Sequence, residues 1–363
     1  MHPDTRHKIQ TALTEFLSES NQWDMSLAGT AAIYRLEQRF AALVGQPHVL
    51  AVANATMGLW AIFAALDITA AEVITTPYTW GGSLAGLILT GNRPVFADID
   101  KHTLTIEPEK IIECITSRTR AILAVDIYGY PCYGSALRKI ADAHGLLLIQ
   151  DCAQSFGAYR EEHHTGWWAD VAVFSLSWGK ALFAGEGGVI VTRNEDIYDR
   201  LVWKTQHPFR QLRDLADMPV NEMTANLRMH PLAAIWAETI FDDALDAVAA
   251  QREECFYVLD LLEKEKMNVS RMPDSLRVRP AFHALTFEPR CEESKIEQLL
   301  QTHDLLYDIS SPPIIELLYD QAAYQKFAIS PKWPKHNPCP VAEQQSKSRL
   351  RIKRQNTVES RKC

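Results

Sequence analysis

The sequence predicts an α/β fold: a mostly parallel, seven-stranded sheet in a large domain, followed by a smaller C-terminal α+β domain. Three observations predict it. From residue 48 to 192, seven short apolar runs alternate with helical stretches, the pattern of strands joined by crossover helices. Most of the runs are continuous rather than alternating, which marks strands covered on both faces. After about residue 230 the alternation gives way to a long helical segment and sparser strand signals. A chain of 363 residues accommodates two packed domains.

In chain order, about residues 1–25 form a polar N-terminal arm, and the opening MHPDTRHKIQ lacks the apolar core of a signal peptide. The strand runs are HVLAVAN from His48, EVITTP from Glu72, RPVFADI from Arg93, AILAVDIYG from Ala121, LLLIQD from Leu146, VAVFSLS from Val171 and GGVIVT from Gly187. Helices are expected at Met57–Leu66 and Tyr133–His144. The most apolar stretch, Ala51 to Ile68, contains Asn54 and Thr56, so it reads as strand plus helix and not as a membrane span. Pro231–Ala250 reads as one long helical segment, and Gln251–Lys264 continues its spacing. A strand at Pro280–Phe287 and a helix near Lys295–Thr302 complete the small domain. The expected boundaries are 1–245, 246–345 and a basic tail at 346–363. That tail holds seven Lys or Arg against one Glu and reads as a solvated, frayed terminus.

Composition narrows the class. At 47% hydrophobic and 23% charged, the chain can bury a sizeable core. A net charge of −8 argues against nucleic acid or an anionic membrane as the main partner. Seven scattered cysteines, none spaced as CxxC, fit neither a disulfide framework nor structural zinc. They suit a reducing compartment, so a cytoplasmic location is expected.

Ligands of such sheets sit beyond the carboxyl ends of the strands, and four features cluster there. Asp151 and Gln154 follow LLLIQ. Ser175 and Lys180 follow VAVF, with GEGG at Gly185–Gly188. Asn54-Ala55-Thr56 joins a strand to a helix, and Tyr78-Thr79-Trp80 follows EVITTP. Singly, each has a bland explanation: a solvated lysine, a turn-forming aspartate, a tight hairpin entry. Together they meet the needs of one ligand, pyridoxal 5′-phosphate (PLP). A lysine can form a Schiff base with a carbonyl cofactor. A carboxylate keeps a pyridine nitrogen protonated, hydroxyls and amides at a helix N-terminus take a phosphate, and a flat aromatic stacks on the ring.

The segment FSLSWGKALFAGEGGVIVT at Phe174–Thr192 resembles the Schiff-base segment of the DegT/StrS-type sugar aminotransferases, PLP enzymes of fold type I. Ser175 stands five residues before Lys180 and Gly185 five after it, the family's intervals. QDCAQSFGA at Gln150 resembles its Asp-x-x-Gln segment, and NATMGL at Asn54 its phosphate-binding helix start. TPYTWGGS at Thr76 resembles the loop bearing the stacking aromatic, RPVFADID at Arg93 the strand that follows, and TANLRM at Thr224 the asparagine-bearing segment that reaches a neighbouring subunit.

The resemblance implies that Lys180 holds PLP and then shuttles protons, while Asp151 pairs with the ring nitrogen and Gln154 bonds near the ring hydroxyl. Ala55, Thr56, the Met57 amide and Ser175 would form the phosphate site, Trp80 would stack on the ring, and Asn226 would come from the second subunit of a homodimer. It implies an aminotransferase that cycles PLP through pyridoxamine 5′-phosphate, turning a keto sugar (as a sugar nucleotide) or keto cyclitol into the amino compound with Glu or Gln as donor. Alternatives are a dehydratase-like PLP enzyme, in whose relatives His replaces the lysine, and a non-catalytic PLP-binding regulator. Ala55 stands where many members have Gly, and only backbone is needed there. Ser177 and Asp126 replace side chains common in the family, which leaves the acceptor open. The chain departs from the family after CPVAEQQ at Cys339, so the C-terminal helix and strand are expected to be missing or replaced.

Other features read as structure. Adjacent His163 and His164 point apart and lack an acidic cluster, so no metal is expected. Cys152 reads as a small buried residue. Trp167-Trp168 reads as core or interface, because no basic stripe accompanies it.

Overall fold

The computed structural model describes residues 3–18, 25–269, 277–289, 291–305, 307–310, 317–321, 324–325 and 339–354. Residues 1–2 and 19–24 of the expected arm, and 355–363 of the expected tail with Cys363, lie outside the described residues.

All seven predicted runs are strands. In chain order they are β1 (His48–Val52), β2 (Glu72–Thr75), β3 (Arg93–Phe96), β4 (Thr119–Val125) and β5 (Leu147–Asp151). After a small ribbon of β6 (Tyr159–Arg160) and β7 (His163–His164) come β8 (Val171–Ser175) and β9 (Gly188–Thr192). The sheet order is β1-β9-β8-β5-β4-β2-β3. β8, β5, β4, β2 and β3 pair in parallel, while β9 runs antiparallel to both β1 and β8. β2 and β9 are buried at every position, as their Val-Ile centres require, and the buried Glu72 of β2 is paired with Arg93 and Arg118.

The parallel arrangement brings the carboxyl ends of β2, β4, β5 and β8 to one edge, and helices fix what lies there. Ala55–Ala65 begins two residues earlier than expected. Asn54 caps it, its Oδ1 accepting the Met57 N–H at 2.9 Å. The Gly82–Leu89 helix packs closely on it: a Cβ on Gly86 would stand 2.4 Å from the Trp60 nitrogen. Two glycines of GEGG have separate reasons. Gly185 has φ +80°, a left-handed conformation that favours glycine, and a Cβ on Gly188 would lie 2.6 Å from the Asn54 carbonyl carbon.

Three expectations change. The single helix over Pro231–Ala250 is broken into Pro231–Thr239 and Phe241–Lys264. The Thr239 hydroxyl donates back to the Ile235 carbonyl at 2.7 Å, a bond that bends helices, and Asp242 and Asp243 open the next helix at its positive end. The C-terminal segment is also neither frayed through Arg354 nor missing its expected helix and strand. Pro340–Ser348 is a helix, and β14 (Leu350–Arg354) lies inside a second sheet of order β10-β12-β14-β13, with β10 (Asn268–Val269), β12 (Leu285–Glu288) and β13 (Tyr307–Ser310). The charge count had masked the period-two alternation of LRIKR. The strand expected at Pro280–Phe287 is displaced to β12, while β11 (Val278–Arg279) pairs with β6. The helix near Lys295 spans Glu293–Thr302.

The second sheet packs on the first through a shared core that includes Tyr78, Leu84 and Phe96 with Val258, Phe287 and Leu300. Asp98, after β3, pins the Pro340–Ser348 helix. Its Oδ2 accepts the Val341 N–H and its Oδ1 the Ala342 N–H, each at 2.9 Å, so a side chain 243 residues away serves as the helix cap. Among the described residues no helix is long and apolar enough to cross a membrane.

Candidate active site

At the carboxyl edge of the large sheet lies a cavity of ≈ 150 Å³, bounded by Ala55, Thr56, Trp80, Asp151, Gln154, Ser175 and Lys180 among other residues. Seven of the nine expected site residues thus meet, from four separate segments. Parallel pairing does this: Asp151 ends β5, Ser175 ends β8, and the Ala55–Ala65 helix starts beside them.

Asp151 is buried at 6% exposure. Its Oδ2 accepts the Ser83 hydroxyl at 2.7 Å and its Oδ1 the Ala153 N–H at 3.0 Å. Burial pushes its carboxyl up against those two bonds and the Lys180 charge, because a desolvated carboxylate resists ionisation. Ser83 was missed by sequence reading, and it also meets the Thr79 hydroxyl at 3.0 Å. Its signal was present in TPYTWGGS, where the serine falls in the first turn of a helix that faces the site.

The remaining residues divide clearly. Ser175 and Ser177 hydroxyls are 3.0 Å apart, and both line the cavity. Gln154 Oε1 accepts the Tyr128 N–H at 2.6 Å and so holds a residue at φ +55°. Trp80 is 77% exposed at the cavity mouth. Met57 does not line the cavity, and its amide donates to the Asn54 cap. Asn226 does not line it either. That residue is exposed at φ +56°, in a separate pocket with Leu27, His207, Pro208, Glu222, Thr224 and Arg228. The arrangement offers an amine, a buried carboxylate, clustered hydroxyls and an aromatic cover around one small space.

Comparison with known proteins places the chain in a family. The chain is 36% identical over 169 residues to a GDP-perosamine synthase of Vibrio cholerae, an alignment spanning 46% of each chain. The chain thus spans about half the length of that curated relative. Among solved structures it is similar to DesI "in the presence of its TDP-sugar product", with 26% identity, TM-score 0.76, and 96% and 84% of the two chains covered. It shares its fold with an E. coli GDP-4-keto-6-deoxy-D-mannose-3-dehydratase "with bound hydrated PLP", at 19% identity, TM-score 0.77, and 98% and 93% coverage. The family match runs over residues 3–353, taking in both sheets and the C-terminal helix and strand: the chain belongs to the DegT/DnrJ/EryC1/StrS aminotransferase family.

Proposed function

We propose that the chain is a PLP-dependent aminotransferase that converts a keto sugar held on a nucleotide, or a keto cyclitol, to the amino compound with Glu or Gln as donor. The donor's amino group and one hydrogen pass to the keto carbon, whose oxygen leaves as water, and a water supplies the carbonyl oxygen with which the donor leaves as its 2-oxo acid. The carrying observation is that Lys180 and the buried Asp151 line one cavity. Lys180 favours amino transfer over the dehydratase-like alternative, whose relatives carry His in place of the lysine. The relatives' names, a GDP-perosamine synthase and a protein seen with its TDP-sugar product, support a nucleotide sugar over a cyclitol.

The residues fit the cofactor. A carboxyl raised by burial is stabilised by a cation placed against it, and a protonated pyridine nitrogen is such a cation. When bound, PLP supplies an electron sink for the carbon that loses a proton. Lys180 would hold the cofactor through Nζ, then take a proton from the reacting carbon and return it. Asp151 would hold the proton on the ring nitrogen. Thr56 and Ser175 would donate to the phosphate beside the Ala55 turn; the Met57 amide, already bonded to Asn54, adds the orienting dipole of its helix end. The carbonyl of Gln154 is committed to Tyr128, so its NH₂ would serve the ring oxygen. Trp80 would cover one ring face and exclude water. Asn226, in its separate pocket, would complete the phosphate site of a second copy of the chain.

The purified protein should absorb in the visible, and borohydride should fix the cofactor to the peptide containing Lys180; labelling at another lysine would overturn the assignment. Lys180→Ala should lower turnover by several orders of magnitude while keeping some PLP. A non-catalytic binder would load PLP and turn over none of a panel of keto sugar nucleotides and keto cyclitols. For the shared site, Lys180→Ala chains exchanged with Asn226→Asp chains should recover up to about half the wild-type rate per mixed dimer, because one of two sites is whole. Exchange proven by mass spectrometry without recovery would place Asn226 outside the site.

A further inference from the structure

Asp126 is a second buried carboxylate on the cavity wall, and no assignment above uses it. It follows β4 as Asp151 ends the adjacent β5, and its N–H donates to the Asp151 carbonyl at 3.0 Å. Asp126 is 0% exposed yet lines the same cavity. Its Oδ1 accepts the Cys132 N–H at 2.9 Å and the Gln150 amide at 3.0 Å. Its Oδ2 accepts the Ser155 hydroxyl at 2.7 Å, the same Gln150 amide at 3.0 Å, and the Thr165 hydroxyl. Gln150 immediately precedes Asp151 and Ser155 follows it in the next loop, so one carboxylate ties down the chain on both sides of the other. Every donor in this set is neutral.

We propose that Asp126 is a positioning residue of this site: it fixes the Asp151 carboxylate on the cavity wall, and its own charge adds to the cavity's preference for a cationic ring. The proposal rests on the reading that Asp151 meets the ring nitrogen of PLP. The other titratable groups facing Asp126 are the buried thiols of Cys132 and Cys152, both held protonated by burial and by Asp126, and the Arg160 guanidinium. Since Asp126 also opposes ionisation of Asp151, its removal has a signature in pH.

The test is equilibrium binding of PLP to the full-length chain across pH. Asp126→Asn is expected to weaken PLP binding about tenfold and to move the acid-side midpoint of binding to lower pH, because a like charge next to Asp151 is gone. Ser155→Ala removes one donor and no charge; it is expected to weaken binding less and to leave the midpoint in place. Wild-type affinity in Asp126→Asn, or an unmoved midpoint, overturns the proposal. Should Asp126→Asn fail to fold by circular dichroism, Ser155→Ala combined with Thr165→Val is read instead. That pair should lose PLP affinity, and wild-type affinity would again overturn the proposal. Asp151→Ala is run in parallel: if it binds PLP as wild type does, the reading of Asp151 itself fails. If it is impaired while Asp126→Asn is not, only the role of Asp126 fails.

Discussion

The chain buries carboxylates in two opposed ways. Glu37, 3% exposed, sits near the start of β1 and grips Arg210, itself 1% exposed, through two bonds of 2.8 and 3.0 Å. Burial opposes the charge on Arg210, but Glu37, Tyr198 and Asp214 overcome it and hold the guanidinium protonated well above its usual range. Tyr198 and Asp214 close the network at 3.0 and 2.9 Å. Asp151, also buried, accepts a hydroxyl and one amide, and the Lys180 charge favours its ionised form. The first carboxylate is complete within the chain and does structural work. The second accepts its hydrogen bonds from a hydroxyl and an amide and faces a cavity open to ligand, which is how a binding site differs from a buried ion pair of the same chemistry.

That contrast can be broken from either side. Asp151→Asn should lower turnover by on the order of a hundredfold or more, since the proton on the ring nitrogen loses its anchor. The same substitution should stabilise the cofactor-free protein at neutral pH. The folded carboxyl of Asp151 is raised above 3.8, so its ionisation costs stability as the pH rises through the folded value. Thermal melts should therefore show the variant ahead of wild type at pH 7 and the gap closing toward pH 3.8. A variant less stable than wild type at pH 7 would mean that Asp151 is a structural group like Glu37.

Arg210→Met should do the opposite, costing about 3–5 kcal/mol in urea unfolding because it strands the Glu37 carboxylate in the interior. Loss of less than about 1 kcal/mol would show Glu37 reaching water. Asp98→Ala should cost about 1–2 kcal/mol, and hydrogen exchange should locate the loss in the Pro340–Ser348 helix whose amides it caps. Protection unchanged there would dismiss the cap. The smallest effect is expected for Ser83→Ala: a few-fold loss of turnover with little change in melting temperature, as Asp151 gives up one neutral hydrogen bond.

Legibility followed the physics of each element. β2 and β9 were readable because a strand buried on both faces carries adjacent apolar residues, here Val73-Ile74 and Val189-Ile190-Val191. Lys180, Asp151 and Ser175 were readable because strand ends in parallel sheets converge. β14 was not, because three basic residues in five look like a solvated tail until partner strands stand on both sides. The break after Thr239 was hidden for a related reason: helical periodicity runs through it, and one back-bonded hydroxyl redirects the chain. Met57 was assigned to the phosphate without foreseeing that Asn54, as the cap, would claim its amide.

By itself, then, the order of residues determined the seven strands, the edge where chemistry gathers, and the spacing of lysine, serine and glycines that marks the family. These are local properties: periodicity, turn chemistry and fixed intervals along the chain. Tertiary structure alone decided that Ser83 would bond Asp151 and that Asp126 would collect donors from both sides of it. It also set Asp98 as the cap of a helix 243 residues away and left Asn226 outside the cavity of its own chain. Such contacts join segments far apart in sequence, and only the closed packing of the two sheets specifies which distant groups meet.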